Sequence, residues 1–203
     1  MKDCRAPGHQ VDRNGSEQVP AEGRIDAEAL FRAHAPFVAA FLHRLGTPQA
    51  DVDDLVQEVF LVAHRKGGYV PGAGQPRTWL AAIAVRVARS GHRSRRRRRE
   101  GLDEQAIESA VSPCRDAAET LEVRKSLERV ERALHTLDLE HRAAFVLYEI
   151  EGEPCEMIAA SFGVPVGTIY SRLHHARRRF VDAYATISQD EPAALRPRLA
   201  EGA

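Results

Sequence analysis

The sequence predicts an all-α protein of two small helical domains joined by a flexible linker. Apolar residues recur at three- and four-residue spacing from Asp26 towards Arg99 and again over 119–187, while no stretch alternates apolar with polar residues as a strand would. Between about 100 and 118 that beat dissolves into charged and small residues with Ser112-Pro113. The expected plan is therefore an arm at 1–24, a domain at 25–99, a linker at 100–118, a second domain at 119–187 and a frayed tail at 188–203. With 203 residues and 43% hydrophobic content, the chain can build one or two small cores but not a large enzyme.

The arm is polar, bears Gly and Pro and lacks periodicity, so it is expected to be disordered. Leu30, Phe31, Phe37, Val38, Phe41, Leu42 and Leu45 then mark a first helix, which Pro36 is expected to kink or restart and Gly46-Thr47-Pro48 to end. Val52, Leu55, Val56, Val59, Phe60, Val62 and Ala63 form the buried side of a second helix over 50–66. A loop, GGYVPGAGQP, covers 67–76, and a third helix from Arg77 into the arginine run buries Trp79, Leu80, Ile83, Ala84, Val87 and Ala88.

The second domain is expected to hold a helix to about His135, another over 138–150, and a helix-turn-helix spelled PCEMIAASFGVPVGTIYSRLHHARRR at 154–179. Ile158, Ala159, Phe162, Ile169, Leu173, Ala176 and Phe180 supply its buried stripes, and Gly163 falls where the tight turn needs positive φ. The remaining face of the last helix carries Thr168, Ser171, Arg172, His174, His175, Arg178 and Arg179, donors suited to base edges and phosphates. Function is therefore sought first with nucleic acid.

Formal net charge is zero, yet the charges are segregated: the window Arg86 to Arg99 holds eight arginines and no acid, followed by a mainly acidic stretch to Glu131. A local patch rather than the average creates a steering field. Arg95 to Arg99 would strengthen duplex binding through counterion release without reading sequence. Cys4, Cys114 and Cys155 show neither disulfide-framework nor metal-ligand spacing, so no metal and no cofactor is expected, and a reducing cytoplasm fits. No apolar run is long enough to insert into a membrane, and the N-terminal residues have no secretory hydrophobic segment. Cys155, His141 and Glu149 lie near one another in sequence, but without a phosphate loop or nucleophile motif the chain is not expected to be an enzyme.

Three segments in order, DVDDLVQEVFLVAHRK (51–66), PRTWLAAIAVRVA (76–88) and LDLEHRAAFVLYEIEGEPCEMIAASFGVPVGTIYSRLHHARRR (137–179), resemble a bacterial RNA polymerase sigma factor of the sigma-70 family, extracytoplasmic-function type. The resemblance spans roughly 26–184 and implies a protein that binds core RNA polymerase, recognises minus-thirty-five and minus-ten promoter elements and promotes melting. It also implies an anti-sigma factor as partner. Asp54, Gln57, Glu58 and Leu61, at i, i+3, i+4 and i+7, make an acidic, partly apolar stripe suited to a basic helix, and the resemblance implies docking there on the polymerase clamp.

For the minus-ten strand, the resemblance implies Tyr69, Arg77, Trp79, Arg86 and Arg93. An unstacked base offers its π-face to an aromatic ring while arginines hold phosphates. Tyr69, in a loop, is the expected base contact, whereas Trp79 on an apolar stripe is expected in the core. For the minus-thirty-five element it implies Thr168, Ser171 and Arg172 as readers, His174 and His175 as further contacts, and Arg142 and Arg178 as phosphate anchors. Val85-Arg86 and Ser90 depart from the family's usual Arg-Asn pair and Asp, and Tyr170 stands where a base is common. The alternative is a stand-alone helix-turn-helix regulator, which would leave the N-terminal bundle and its DDLVQEVF stripe unexplained.

Overall fold

A computed structural model describes residues 23–72, 74–99 and 119–189, with side chains described except at 92–99 and 119–121. The expected arm up to residue 22, the linker 100–118 and the tail from 190 lie outside the described residues. Helix α1 (Ala27–Arg44) starts where Asp26 accepts a hydrogen bond from the Ala29 amide at 2.7 Å, satisfying one free N–H of the first turn. It runs through Pro36 without the expected restart. Pro36 and Arg32, whose carbonyl loses its helical donor, are both exposed, which eases the cost of the missing bond.

Helix α2 (Gln49–Arg65) buries Val52, Val56, Val59, Phe60 and Ala63 against α1, and α3 (Pro76–Arg99) packs on both. Phe41, Leu30, Leu42, Leu45 and Leu80 are fully buried, and each such side chain contributes about 1.5–3 kcal/mol relative to exposure. The connection from α2 to α3 is pinned to the start of α1, because Tyr69 and Ile25 exchange two backbone hydrogen bonds of 2.8 and 2.9 Å in an isolated antiparallel bridge. Gly68 makes that approach possible: it sits at φ +86°, and a Cβ there would lie 2.3 Å from the Ile25 carbonyl oxygen.

In the second half, α4 (Glu119–His135) leads to α5 (Leu139–Phe145), capped by Asp138, which accepts from the His141 amide at 3.0 Å. The expected single helix over 138–150 instead changes pitch, passing into a π-helical turn at Val146–Ile150. Helix α6 (Cys155–Phe162) ends at Gly163, which has φ +65°, and α7 (Val166–Gln189) follows at once. The glycine turn and the apolar stripes of the helix-turn-helix are thus as the spacing predicts, while α7 continues past the expected limit of 187.

The two halves meet over an extended surface, with α3 packed against α5 and α6 and one buried cluster running from Leu30 to Ala176. Arg142 is central to this contact. It is 8% exposed, and its guanidinium donates to the carbonyls of Leu45 at 2.7 Å, Leu137 at 2.7 Å and His135 at 2.9 Å. Burial pushes its pKa down, opposed by the nearby Asp138 carboxylate. Glu153 lies in the same region, 6% exposed, with its carboxyl pushed up by burial; Arg77 opposes the shift and Glu151 adds to it.

A raised carboxyl favours folding fully below its ordinary value of about 4.3, and that contribution is lost as pH rises through the higher folded value. Glu153→Gln is therefore expected to raise the melting temperature at pH 7.5, with the gain over the parent shrinking towards pH 4.5. Thermal melts of both proteins across this range measure it, and a gain independent of pH would refute the titration.

Candidate polymerase and nucleic-acid interface

On α2, Asp54, Gln57 and Leu61 face solvent, opposite the buried stripe, and Leu61 is 52% exposed. Glu58 is half-buried and accepts from Arg65 at 3.0 Å. Beside this stripe a groove of about 500 Å³ runs between α2 and α3, lined by Leu55, Glu58, Val62, Ile83, Arg86 and Val87. An exposed apolar residue amid carboxylates suits a helix that carries both basic and apolar side chains.

Tyr69 and Trp79 are together, with ring centroids 5.7 Å apart in edge-to-face contact. Their expected burial is inverted: Tyr69 is only 6% exposed, its hydroxyl donating to the Gly74 carbonyl, whereas Trp79 is half-buried at the margin of the core. The bridge to Ile25 draws the loop tyrosine inward, a cause that α3 periodicity cannot report. Both rings line a hollow of about 420 Å³ with Lys66, Val70 and Gly74, closed on one side by Ala160 and Ser161 from α6. At its edge the Ser161 hydroxyl donates to Thr78 Oγ1 at 2.9 Å, and Thr78 donates to the Gln75 carbonyl at 3.0 Å to fix the start of α3.

Arg77 pairs with Glu151 and lies 4.2 Å from the Phe37 ring centroid, a cation–π contact. Arg86 is exposed, and the side chain of Arg93 lies outside the described residues.

On α7, Ser171, His174, His175 and Arg178 are exposed, Thr168 is half-buried, and Leu173 and Ala176 anchor the helix from behind. Arg172 is half-buried and pairs with Glu140. The rings of His174 and His175 are 5.6 Å apart, and His141, 6.0 Å from His175, forms a 2.6 Å Nδ1 contact with Asp138 Oδ2. Arg178 extends this basic face along α7, and Arg179 donates to the Thr136 carbonyl at 3.0 Å. Arg142 does not join the face: with its two terminal nitrogens directed at three carbonyls, that of Leu45 across the domain contact, it is a structural tie in this arrangement rather than a phosphate anchor. Tyr170, where a base is common in the family, donates instead to Glu156 at 3.0 Å.

Two acids absent from the expected site prove central to it. Glu140 pairs with both Arg89 and Arg172, and Glu151 with both Arg44 and Arg77. Their only sequence signal is that each is an acid within an otherwise reading-competent segment. Among the described residues, no group of three or more His, Cys, Asp or Glu is arranged to hold a metal, and no helix is long and apolar enough to cross a membrane.

The order of elements agrees with two family models: sigma-70 region 2 matches residues 30–98 and sigma-70 region 4 matches residues 127–180. The ECF RNA polymerase sigma-E factor of Escherichia coli is 34% identical over 147 residues, covering 69% of this chain and 76% of its own. The chain belongs to the extracytoplasmic-function sigma factors of the sigma-70 family.

As a sigma factor it is a protein of transcription initiation, with region 2 formed by α1–α3 and region 4 by the helices from α4 into α7. Similar to it are also the RNA polymerase sigma factor CarQ of Myxococcus xanthus, 34% identical over 155 residues with 75% of this chain and 86% of CarQ covered, and the ECF RNA polymerase sigma factor SigE of Mycolicibacterium smegmatis, 33% identical over 165 residues. The latter match covers 80% of this sigma factor and 63% of SigE. Among solved structures, RpoE in complex with the anti-sigma factor NepR from Bartonella quintana superposes with a TM-score of 0.62 at 27% identity, covering 78% of this chain and 96% of that one. CnrH, in complex with the cytosolic domain of CnrY, superposes with a TM-score of 0.54 at 25% identity, covering 81% and 89%.

Proposed function

We propose that this sigma factor binds core RNA polymerase, reads a minus-thirty-five element as duplex, and captures an unpaired minus-ten strand to promote melting. The observation that carries this reading is the presence of regions 2 and 4 in order, each on helices carrying the required chemistry. Asp54, Gln57, Glu58 and Leu61 meet the polymerase clamp, and Thr168, Ser171 and Arg172 reach base edges from the start of α7. His174, His175 and Arg178 add base or phosphate contacts along that helix. Trp79, Tyr69 and the hollow beside them receive a base extruded from the non-template strand, with Arg77, Arg86 and Arg93 on its phosphates.

A partner of the anti-sigma class, as NepR is to the RpoE neighbour, regulates it by covering these faces. The protein acts in the cytoplasm, where polymerase and promoters are, and supplies no catalytic group of its own. A stand-alone regulator would use only region 4. Run-off transcription from a cognate promoter, with core polymerase alone and with the sigma factor added, is expected to give product only in the second case. Absence of a promoter-dependent product would overturn the reading.

A further inference from the structure

One stripe of α7 lies along the segment that leads into α5. Arg172, His175 and Arg179 fall at i, i+3 and i+7 on that helix, and each meets a different residue of 136–141. Arg172 pairs with Glu140, the His175 ring lies against that of His141, and Arg179 donates to the Thr136 carbonyl at 3.0 Å. The two outer contacts set α7 against this segment, so the exposed ring between them has His141 as its fixed neighbour. The imidazole centroids are 6.0 Å apart with an interplanar angle of 84°, the edge of one ring directed at the face of the other.

His141 is itself held from two directions. Asp138 caps α5 by accepting from the His141 amide at 3.0 Å through Oδ1, and its other oxygen lies 2.6 Å from His141 Nδ1. Burial raises the Asp138 carboxyl, but hydrogen bonds from the His141 amide and ring outweigh it and hold the group below its ordinary value. An ionised carboxylate only accepts, so Nδ1 carries the hydrogen and donates it to Oδ2. One carboxylate thus fixes the backbone, the ring and the tautomer of His141.

We propose that His141 is a positioning residue for minus-thirty-five reading: tied to Asp138, it holds the His175 imidazole in the orientation from which that ring meets DNA. The inference rests on the assignment of His175 to the minus-thirty-five element. An exposed histidine on a helix otherwise samples several rotamers, and stopping it on DNA weakens binding. A ring already confined against His141 has lost part of that freedom before DNA arrives. Helix-turn-helix spacing gives no sign of this residue, because it stands on α5, ahead of the motif.

The test uses the full chain, alone and in holoenzyme reconstituted with core polymerase. His141→Asn removes the ring. Asp138→Asn keeps an N-cap oxygen for the His141 amide but turns a donor towards Nδ1, so the ring must change tautomer or swing away. Circular dichroism and thermal melts establish that both variants, and His175→Ala, are folded. At about pH 8, where histidine is ordinarily neutral, nitrogen-15 spectra of the free protein are expected to place hydrogen on Nδ1 of His141 in the parent and to show its departure in Asp138→Asn. Hydrogen on Nε2 in the parent would overturn the proposal.

Holoenzyme carrying His141→Asn is expected to bind a promoter fragment about three- to tenfold more weakly, and its losses across single base-pair changes in the minus-thirty-five element should follow those of His175→Ala. Asp138→Asn is expected to weaken binding with the same profile, although loss of a negative charge alone would tighten it. In a His175→Ala background neither substitution is expected to have a further effect. Tighter binding by Asp138→Asn, additive losses, or a His175→Ala variant that binds like the parent would each overturn the proposal. A parent that fails in run-off transcription strikes the functional reading, whereas additive losses with an active parent strike the positioning role alone.

Discussion

Replacing Arg142 by alanine is expected to lower the free energy of unfolding by about 3 kcal/mol. The guanidinium is nearly inaccessible and serves three backbone carbonyls at once, those of Leu45, His135 and Leu137. Each buried acceptor left without a donor costs about 1–3 kcal/mol, partly recovered where water enters or the backbone relaxes. The carbonyl of Leu45 belongs to region 2, that of His135 to the end of α4 and that of Leu137 to the α4–α5 connection, so the loss is felt by both halves. For a chain of this size, about 3 kcal/mol corresponds to a fall in melting temperature of roughly 6–12 °C.

Arg142→Lys is expected to recover only part of the loss, because one ammonium cannot reproduce the planar fork that spans three acceptors. Thermal denaturation measures both variants. If Arg142 were instead a phosphate anchor, alanine would leave the melting temperature unchanged and flatten the salt dependence of promoter binding by about one charge; that outcome would remove the structural role.

The contrast between Arg142 and Gly163 explains which features were legible in the sequence. Gly163 occupies a turn whose geometry is set by its immediate neighbours, and the apolar stripes around it repeat with the helix period, so local spacing contains the answer. Asp138 as the cap of α5 is local too, visible only through its backbone bond to His141 three residues on. Arg142 contacts a carbonyl 97 residues away, and Glu151 finds arginines 107 and 74 residues away. Periodicity reports which face of a helix is apolar; it carries nothing about which distant polar group a buried arginine or glutamate meets.

The same limit inverted Tyr69 and Trp79. Burial of Tyr69 depends on a bridge to Ile25, 44 positions earlier in the chain, whereas the position of Trp79 on its helical stripe suggested a more enclosed site than the edge of the hollow provides. The donor face of α7, by contrast, was legible, since exposure of Ser171, His174, His175 and Arg178 follows from the burial of Ile169, Leu173 and Ala176 on the other side.

Arg172→Ala is expected to weaken transcription by about 10- to 100-fold at promoters that present guanine to this side chain, and far less at promoters that do not. Arginine pairs with guanine through two parallel hydrogen bonds in the major groove, and losing such a pair removes about 1–3 kcal/mol of discrimination. The fold should survive, because Leu173 and Ala176, not Arg172, secure α7 to the domain, and the ion pair of Arg172 with Glu140 lies at a partly exposed edge.

Alanine at 172 leaves Glu140 paired with Arg89 alone. Arg172→Lys keeps the charge that pairs with Glu140 but loses the bidentate geometry, and is expected to lose guanine preference as well. Multiple-round transcription on a panel of templates differing only in the minus-thirty-five element measures this: a loss that depends on template reports base reading, and an equal loss on every template would place Arg172 on the DNA backbone alone.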